Sequence, residues 1–160
     1  MVVKKLSLDS KYVKEIQDKV SLLKFDYAEQ AEGNKDTVYQ YIHMIPRDGN
    51  ELVKPILDVA YKHLNIKWGI RIKVNKLLPQ DLTDKQEESL WHKDRDDSGY
   101  ISLIYYVNDS DGDTEVGDYK NTPKAGEMIY FDSNVTHKPS LPTQGERIII
   151  NFIFEKNKWQ

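Results

Sequence analysis

The 160-residue chain contains no cysteine. Disulfides, zinc knuckles and cysteine nucleophiles are therefore excluded, and any metal must be held by nitrogen and oxygen donors. No stretch approaches the roughly 18–20 apolar residues of a membrane span, and the opening residues MVVKKLSLDSKY lack the apolar run of a signal peptide. Charge of one sign is lacking too: 23 Lys+Arg stand against 26 Asp+Glu, a net charge of −3, with no basic block suited to phosphates. A soluble, cytoplasmic protein without a membrane partner and without bulk-charge affinity for nucleic acid is expected. What is present, 39% hydrophobic and 31% charged residues, suffices for one folded core, and this length fits a single domain over 1–160. There is no internal repeat, low-complexity tract or interdomain linker.

Two segments of the amino-terminal part carry helical periodicity. Asp9 and Ser10 are capping residues ahead of Val13, Ile16, Val20 and Leu23, which fall on one helical face. A second helix is predicted from Leu52 to Leu64, with Ile56, Ala60 and Leu64 on one stripe and Pro55 tolerated in the first turn. Between them, Phe25 to Gly49 has no sustained period beyond a short strand near Val38–Ile45. After Asn65 the texture changes: Ile66–Leu78, Tyr100–Asn108, Gly126–Phe131 and Arg147–Glu155 are rich in β-branched and aromatic residues, with polar, Gly- and Pro-bearing intervals. In the last strand Ile148, Ile150, Phe152 and Phe154 alternate with Arg147, Ile149, Asn151 and Ile153, so both of its faces are covered. The fold class is mainly β with flanking helices (α+β). A jelly roll over residues 66–156, backed by a helical support region over 1–65, accounts for this. Gln80–Ser89 is expected to be a long charged loop.

Four histidines, His43, His63, His92 and His137, anchor the search for chemistry. His63 complements the end of the second helix, and His43 has no carboxylate neighbour in sequence, so both are left outside the site. His92 and Asp94 form His-x-Asp, and on an extended strand residues two apart project from one face and can grip one ion. Forty-two residues separate Asp94 from His137, and nine more separate His137 from Arg147. Two histidines and one carboxylate make a three-point site with open positions suited to non-heme Fe(II). Arg147, heading an otherwise apolar strand, either is an exposed strand end paired with Glu146 and water or holds an anion with its planar fork.

With these intervals the sequence resembles the Fe(II)- and 2-oxoglutarate-dependent oxygenases, in particular their prolyl-hydroxylase-like branch. The resemblance covers about Ile66–Glu155 and rests on WHKDRDDSGYISLIYYVND, AGEMIYFDSNVTHKPSL and GERIIINFIFE. It implies a double-stranded β-helix in which His92, Asp94 and His137 are the iron ligands and Arg147 holds the distal carboxylate of 2-oxoglutarate. Tyr106 in IYYVN matches a position whose phenol often joins that carboxylate, its strand face Ser102–Ile104–Tyr106 then lining the pocket; otherwise it is a packed aromatic with its hydroxyl at the barrel rim. Asn151 shares the face of Arg147 and either orients the co-substrate or a water or satisfies a neighbouring backbone group. Two departures stand out. Where the family shows a tyrosine before Pro-Gly, this chain has Asn75-Lys76-Leu77-Leu78-Pro79-Gln80, so Leu77 removes a polar contact that Asn75 is left to supply. The family's Gly-Gly-Glu/Asp-Thr turn is reduced to Asp111-Gly112-Asp113-Thr114-Glu115.

The implied activity is a dioxygenase reaction: 2-oxoglutarate and dioxygen are consumed, succinate and CO2 leave, and a C–H bond, most naturally of a peptide or protein, is hydroxylated. A lid is expected from Gln80–Ser89 or from Phe25–Gly49. Two rivals share the jelly roll: a cupin-like metal-binding protein, with no use for a pocket arginine, and a non-catalytic binding domain with His92 and Asp94 in a solvent loop. Oligomeric state is not readable from these patterns.

Overall fold

The structure is a computed structural model that describes residues 2–29 and 38–158. Among the described residues, ten strands and three helices follow one another as β1 (Lys4–Ser7), α1 (Ser10–Ser21), β2 (Asp26–Glu29), β3 (Tyr39–Ile45), α2 (Lys54–His63), β4 (Ile66–Leu77), α3 (Asp84–Ser89), β5 (Tyr100–Tyr106), β6 (Thr114–Val116), β7 (Tyr119–Asn121), β8 (Glu127–Asp132), β9 (His137–Pro139) and β10 (Arg147–Lys156). Seven strands form one antiparallel sheet in the order β1-β8-β5-β10-β4-β3-β2, and three form a smaller sheet, β7-β6-β9. The protein is thus mainly β. Among the described residues no helix is long and apolar enough to cross a membrane.

The central strand β10 shows why the large sheet has two dry faces. Ile150, Phe152 and Phe154 join a cluster with Ile16 and Val20 of α1 and Ile56 and Ala60 of α2, while Ile149 packs on the opposite face with Ile104, Ile129 and Val116 of the small sheet. Period-2 alternation on a strand covered from both sides produces this split. Truncating a fully buried ring such as Phe152 would cost about 3–5 kcal/mol. α1 starts where Asp9 accepts from the Lys11 amide, and Pro55 lies in the first turn of α2, where its missing N–H breaks no helical bond.

Two expectations are corrected. The first 65 residues are not a helical support alone, because β1, β2 and β3 are built into the large sheet; β1 and β2, of four residues each, give too short a pattern to stand out in sequence. Gln80–Ser89 is not a structureless loop: Thr83 accepts from the Gln86 amide and Gln86 reaches back to the Thr83 amide, a reciprocal cap that starts α3. Gln80 is itself pinned to the backbone of Tyr39 on β3. The other lid candidate, Phe25–Gly49, forms β2 and β3 at its ends, and its residues 30–37 lie outside the described residues.

Candidate metal centre

His92 and Asp94 do not lie on a strand as expected. They sit in the irregular segment after α3, and only His92 pairs, in an isolated bridge with His137 at the start of β9. That bridge is reciprocal: the His92 amide donates to the His137 carbonyl and the His137 amide to the His92 carbonyl, both at 2.9 Å. The two imidazoles therefore leave the same side of one antiparallel pair, with ring centroids 4.3 Å apart. Asp94 is turned towards them because its amide, and that of Arg95, donate to the Ser133 carbonyl.

The side chains are oriented with equal economy. Nδ1 of His92 lies 2.8 Å from the Leu90 carbonyl and Nδ1 of His137 2.9 Å from the Val135 carbonyl. A carbonyl only accepts, so both Nδ1 atoms donate and both Nε2 atoms are turned into the site, where they are the nitrogens that can ligate an ion. Those Nε2 atoms each lie 3.6 Å from the Asp94 carboxylate, one from each oxygen. Such a gap is too long for a hydrogen bond and matches ligands around a first-row ion bonded at about 2.0–2.2 Å. All three ligating groups fall within 4.8 Å of one another. Carbonyl-anchored imidazoles are also the arrangement that makes good metal ligands. The residues present fit a divalent ion with two nitrogens and one carboxylate, the facial set that suits Fe(II).

Asp94 is buried, which pushes its carboxyl up, but His137, His92 and the Ser102 hydroxyl at 2.6 Å hold it well below the usual carboxylate range. The Ser102 hydroxyl in turn lies 2.8 Å from that of Ser133. The ring of Phe131 meets His137 edge-on at 4.8 Å and closes its inner side.

Arg147 is 2% exposed, so it is not a strand end in solvent. Its Nε donates to the Gly112 carbonyl at 2.8 Å and its Nη2 to the Thr114 hydroxyl at 2.6 Å, while no carboxylate among the described residues comes within ion-pair distance. Burial pushes this guanidinium below its ordinary value. Gly112 has to be glycine, since a Cβ there would lie 2.9 Å from Arg147 Cδ and 2.5 Å from the Ser140 carbonyl. The shortened turn Asp111–Glu115 is thus the seat of Arg147. Sequence reasoning missed Gly112 and Thr114 in this role, although a Gly and a Thr in a turn facing a lone buried cation were the available signal.

One cavity of about 240 Å³ is lined by His92, Asp94, His137 and Arg147 together with Asn75, Leu77 and Asn151. Tyr106 is not on its wall: the side chain is fully buried and its hydroxyl donates to Thr114 at 2.8 Å, so it touches the group that holds Arg147. Of its strand face, Ile104 lines the cavity and Ser102 serves Asp94. Asn75 donates to Gln40 at 2.8 Å and keeps a buried Oδ1 without a partner. Asn151 accepts from Arg71 at 3.3 Å and reaches Asp94 at 3.5 Å. His43 is bonded to the Lys24 carbonyl and His63 closes α2, both away from the cavity. Arg71 and Lys73, cavity residues on β4, were missed; on an amphipathic strand such residues read as the solvated face.

No protein-family model and no curated protein matches the sequence. The backbone, by contrast, matches solved structures over nearly its whole length. A prolyl-4-hydroxylase from Pseudomonas putida superposes with a TM-score of 0.68 at 17% identity, covering 97% of this chain and 92% of the other. An oxidoreductase of the 2OG-Fe(II) oxygenase family from Burkholderia pseudomallei gives 0.69 at 14% identity over 97% and 85%. A prolyl hydroxylase from Trichoplax adhaerens, solved with a peptide fragment of the hypoxia-inducible factor oxygen degradation domain, gives 0.71 at 15% identity over 96% and 83%. The fold is that of the prolyl-hydroxylase-like 2-oxoglutarate oxygenases. Within this oxygenase fold the His92–Asp94–His137 group and Arg147 share one cavity between the large and small sheets, with Thr114 of β6 and His137 of β9 on the small-sheet side.

Proposed function

We propose that the chain is an Fe(II)- and 2-oxoglutarate-dependent dioxygenase on a double-stranded β-helix, hydroxylating a C–H bond of a peptide or protein. The observation that carries this reading is the single cavity lined at once by three convergent metal donors and a buried arginine with no carboxylate of its own. The overall conversion balances: substrate, dioxygen and 2-oxoglutarate give hydroxylated substrate, succinate and CO2, one oxygen atom entering each organic product.

Fe(II) held by His92, Asp94 and His137 supplies the activation of dioxygen coupled to oxidative decarboxylation of the co-substrate. The chain's own residues position and insulate. Arg147 receives the distal carboxylate of 2-oxoglutarate, and it is pre-aimed by Gly112, Thr114 and, through Thr114, by Tyr106. Asn75 offers its free Oδ1, an acceptor, to a water, since 2-oxoglutarate carries no donor, and Asn151 presents its amide at the metal side, where it orients the co-substrate or a water. Leu77, Ile104 and Ile149 replace water with apolar wall along the cavity. Domain organisation follows: residues 66–156 supply every one of these groups, and residues 1–65 supply helices and additional strands around them. The peptide substrate is supported by the bound peptide of the Trichoplax neighbour.

A cupin-like metal protein or a non-catalytic jelly roll would have no use for a buried, carboxylate-free Arg147 facing its metal ligands. The test is anaerobic addition of Fe(II) and then 2-oxoglutarate. A visible metal-to-ligand charge-transfer band is expected in the wild type and not in His137→Ala; its absence from the wild type overturns the reading. Succinate release with proline-containing peptides, compared with nucleosides and free amino acids, then tests the substrate class, and stimulation by a nucleoside alone would remove the peptide.

A further inference from the structure

The cavity face of β4 carries Arg71, Lys73, Asn75 and Leu77 in alternation, and the ladder with β10 fixes their levels. Leu77 lies opposite Arg147, Asn75 opposite Ile149, Lys73 opposite Asn151, and Arg71 opposite Ile153. Lys73 is therefore four residues along the strand from the level of Arg147, on the order of 13 Å at the rise of an extended chain. At this far end Arg71 lies 3.8 Å from Asp94, so the two β4 cations flank the metal centre rather than the Arg147 end.

Neither cation is satisfied. Nε of Arg71 is buried without a hydrogen-bond partner, and its Nη2 reaches only Asn151 at 3.3 Å and the already engaged Asp94. Lys73, half-buried, has no hydrogen bond or ion pair among the described residues. The charge of the cavity as a whole points the same way. Its wall holds four cationic side chains, Arg71, Lys73, Lys93 and Arg147, and one carboxylate, Asp94. A divalent iron and doubly charged 2-oxoglutarate cancel one another, so the loaded cavity retains a surplus of about three positive charges. Lys93 is exposed and the Arg71 side chain 35% exposed, so solvent screens part of this surplus; what remains at the half-buried Arg71 and Lys73 favours a further anion and disfavours a cationic ligand.

We propose that Arg71 and Lys73 form a second anion site, on the metal side of the cavity, which receives a side-chain carboxylate of the primary substrate. The hydroxylated peptide is accordingly acidic beside the residue that reacts. The inference rests on the oxygenase reading and adds its specificity: two charge-assisted hydrogen bonds distinguish glutamate from the isosteric glutamine, which leaves the cations unpaired. The one competing source of the same chemistry is the carboxylate of 2-oxoglutarate next to the metal, and the experiment separates the two.

Protein loaded anaerobically with Fe(II) and 2-oxoglutarate is dialysed against two degenerate nonapeptide pools that are identical except that the central residue is glutamate in one and glutamine in the other. Bound peptide is quantified by mass spectrometry. Wild type is expected to retain the glutamate pool at least tenfold over the glutamine pool. In Lys73→Met and, independently, in Arg71→Gln the ratio is expected to fall below threefold, with Lys73→Arg restoring it; thermal unfolding of each variant verifies that it is folded. The midpoint of 2-oxoglutarate titration, read from the charge-transfer band, is expected to stay within threefold of wild type in Lys73→Met. Equal retention of both pools by wild type overturns the proposal, as does a preserved preference in both variants. A Lys73→Met protein that loses 2-oxoglutarate affinity but keeps the preference assigns Lys73 to the co-substrate and also overturns it. Failure of wild type to form the band sinks the oxygenase reading and this inference with it, whereas a band without a glutamate preference sinks this inference alone.

Discussion

Lys73 should destabilise the fold that contains it. Burial, and then the neighbouring Arg71, push its ammonium from the ordinary 10.5 down to about 8, against a smaller opposing effect of Asp94. A shift of that size corresponds to about 3 kcal/mol at roughly 1.4 kcal/mol per pH unit, an upper bound that residual solvent contact reduces to roughly 1–3 kcal/mol. Methionine keeps the length and apolar stem of lysine and removes the charge, so Lys73→Met is expected to stabilise the metal-free protein by that amount at pH 7. For a chain of this size the melting temperature should rise by roughly 3–10 °C. The sign is checked by pH. Between about 8 and 10.5 the unfolded chain binds the proton that the folded chain has released, so wild-type stability rises with pH across that window relative to the variant. The gap between the two proteins is full below pH 8 and should close by pH 10.5. Denaturant unfolding of both proteins at pH 7 and pH 10 measures it. A variant that is no more stable at pH 7, or a gap of the same size at pH 10, would refute the reasoning that Lys73 is a desolvated, unpaired cation.

Three further outcomes are expected. Arg147→Lys should weaken 2-oxoglutarate binding roughly 10–100-fold, because a point charge cannot bond Gly112 and Thr114 and still present a donor pair to a carboxylate; calorimetric titration of the Fe(II)-loaded variant decides this, and unchanged affinity removes Arg147 from the site. Tyr106→Phe should cost about 1 kcal/mol of stability through the lost bond to Thr114, and should lower co-substrate affinity much less than Arg147→Lys; an equal loss would mean that the phenol meets the co-substrate directly. Because the Asp94 carboxyl is held far below its unfolded value, its stabilising contribution is full above pH about 4 and is lost as pH falls below that. Asp94→Asn should accordingly flatten the acid limb of metal-free unfolding, and identical acid profiles for the two proteins would contradict it.

The parts of the fold that were legible in sequence are those whose signal is local and periodic. α1 and α2 follow from a cap, a first-turn proline and apolar residues one helical turn apart, and β10 from apolar residues on both of its faces. β1 escaped because KKLS contains one apolar residue and gains its place only by pairing with β8. α3 escaped because a charged stretch was read by its composition, although Thr83 and Gln86 spell a capping box. The site divides along the same line. His92 and His137 are two of only four histidines, Asp94 is marked by standing two residues after His92, and Arg147 by heading an apolar strand, whereas Arg71 and Lys73 look like any polar face of a strand until the opposite wall is in place. Strand alternation tells which residues share a face. It does not tell which face meets a cavity.

The reciprocal backbone pair between His92 and His137 makes the metal centre a rigid socket. The backbone segments that carry the two imidazoles cannot separate without breaking both amide-to-carbonyl hydrogen bonds, and β9 on the other side is fastened to β6 through Val116 and Thr114. An ion entering such a socket has little chain left to order, so metal affinity and folding are only loosely coupled, unlike a zinc finger whose fold depends on its ion. Chelation should lower the unfolding transition only by the mass-action share of the lost ligand, and refilling should be quick. A frame that does not adapt also does not choose strongly among ions of similar radius. Discrimination among Fe(II), Mn(II), Co(II) and Ni(II) is then left to the intrinsic ordering of those metals for two imidazoles and a carboxylate, and to which of them the cell supplies.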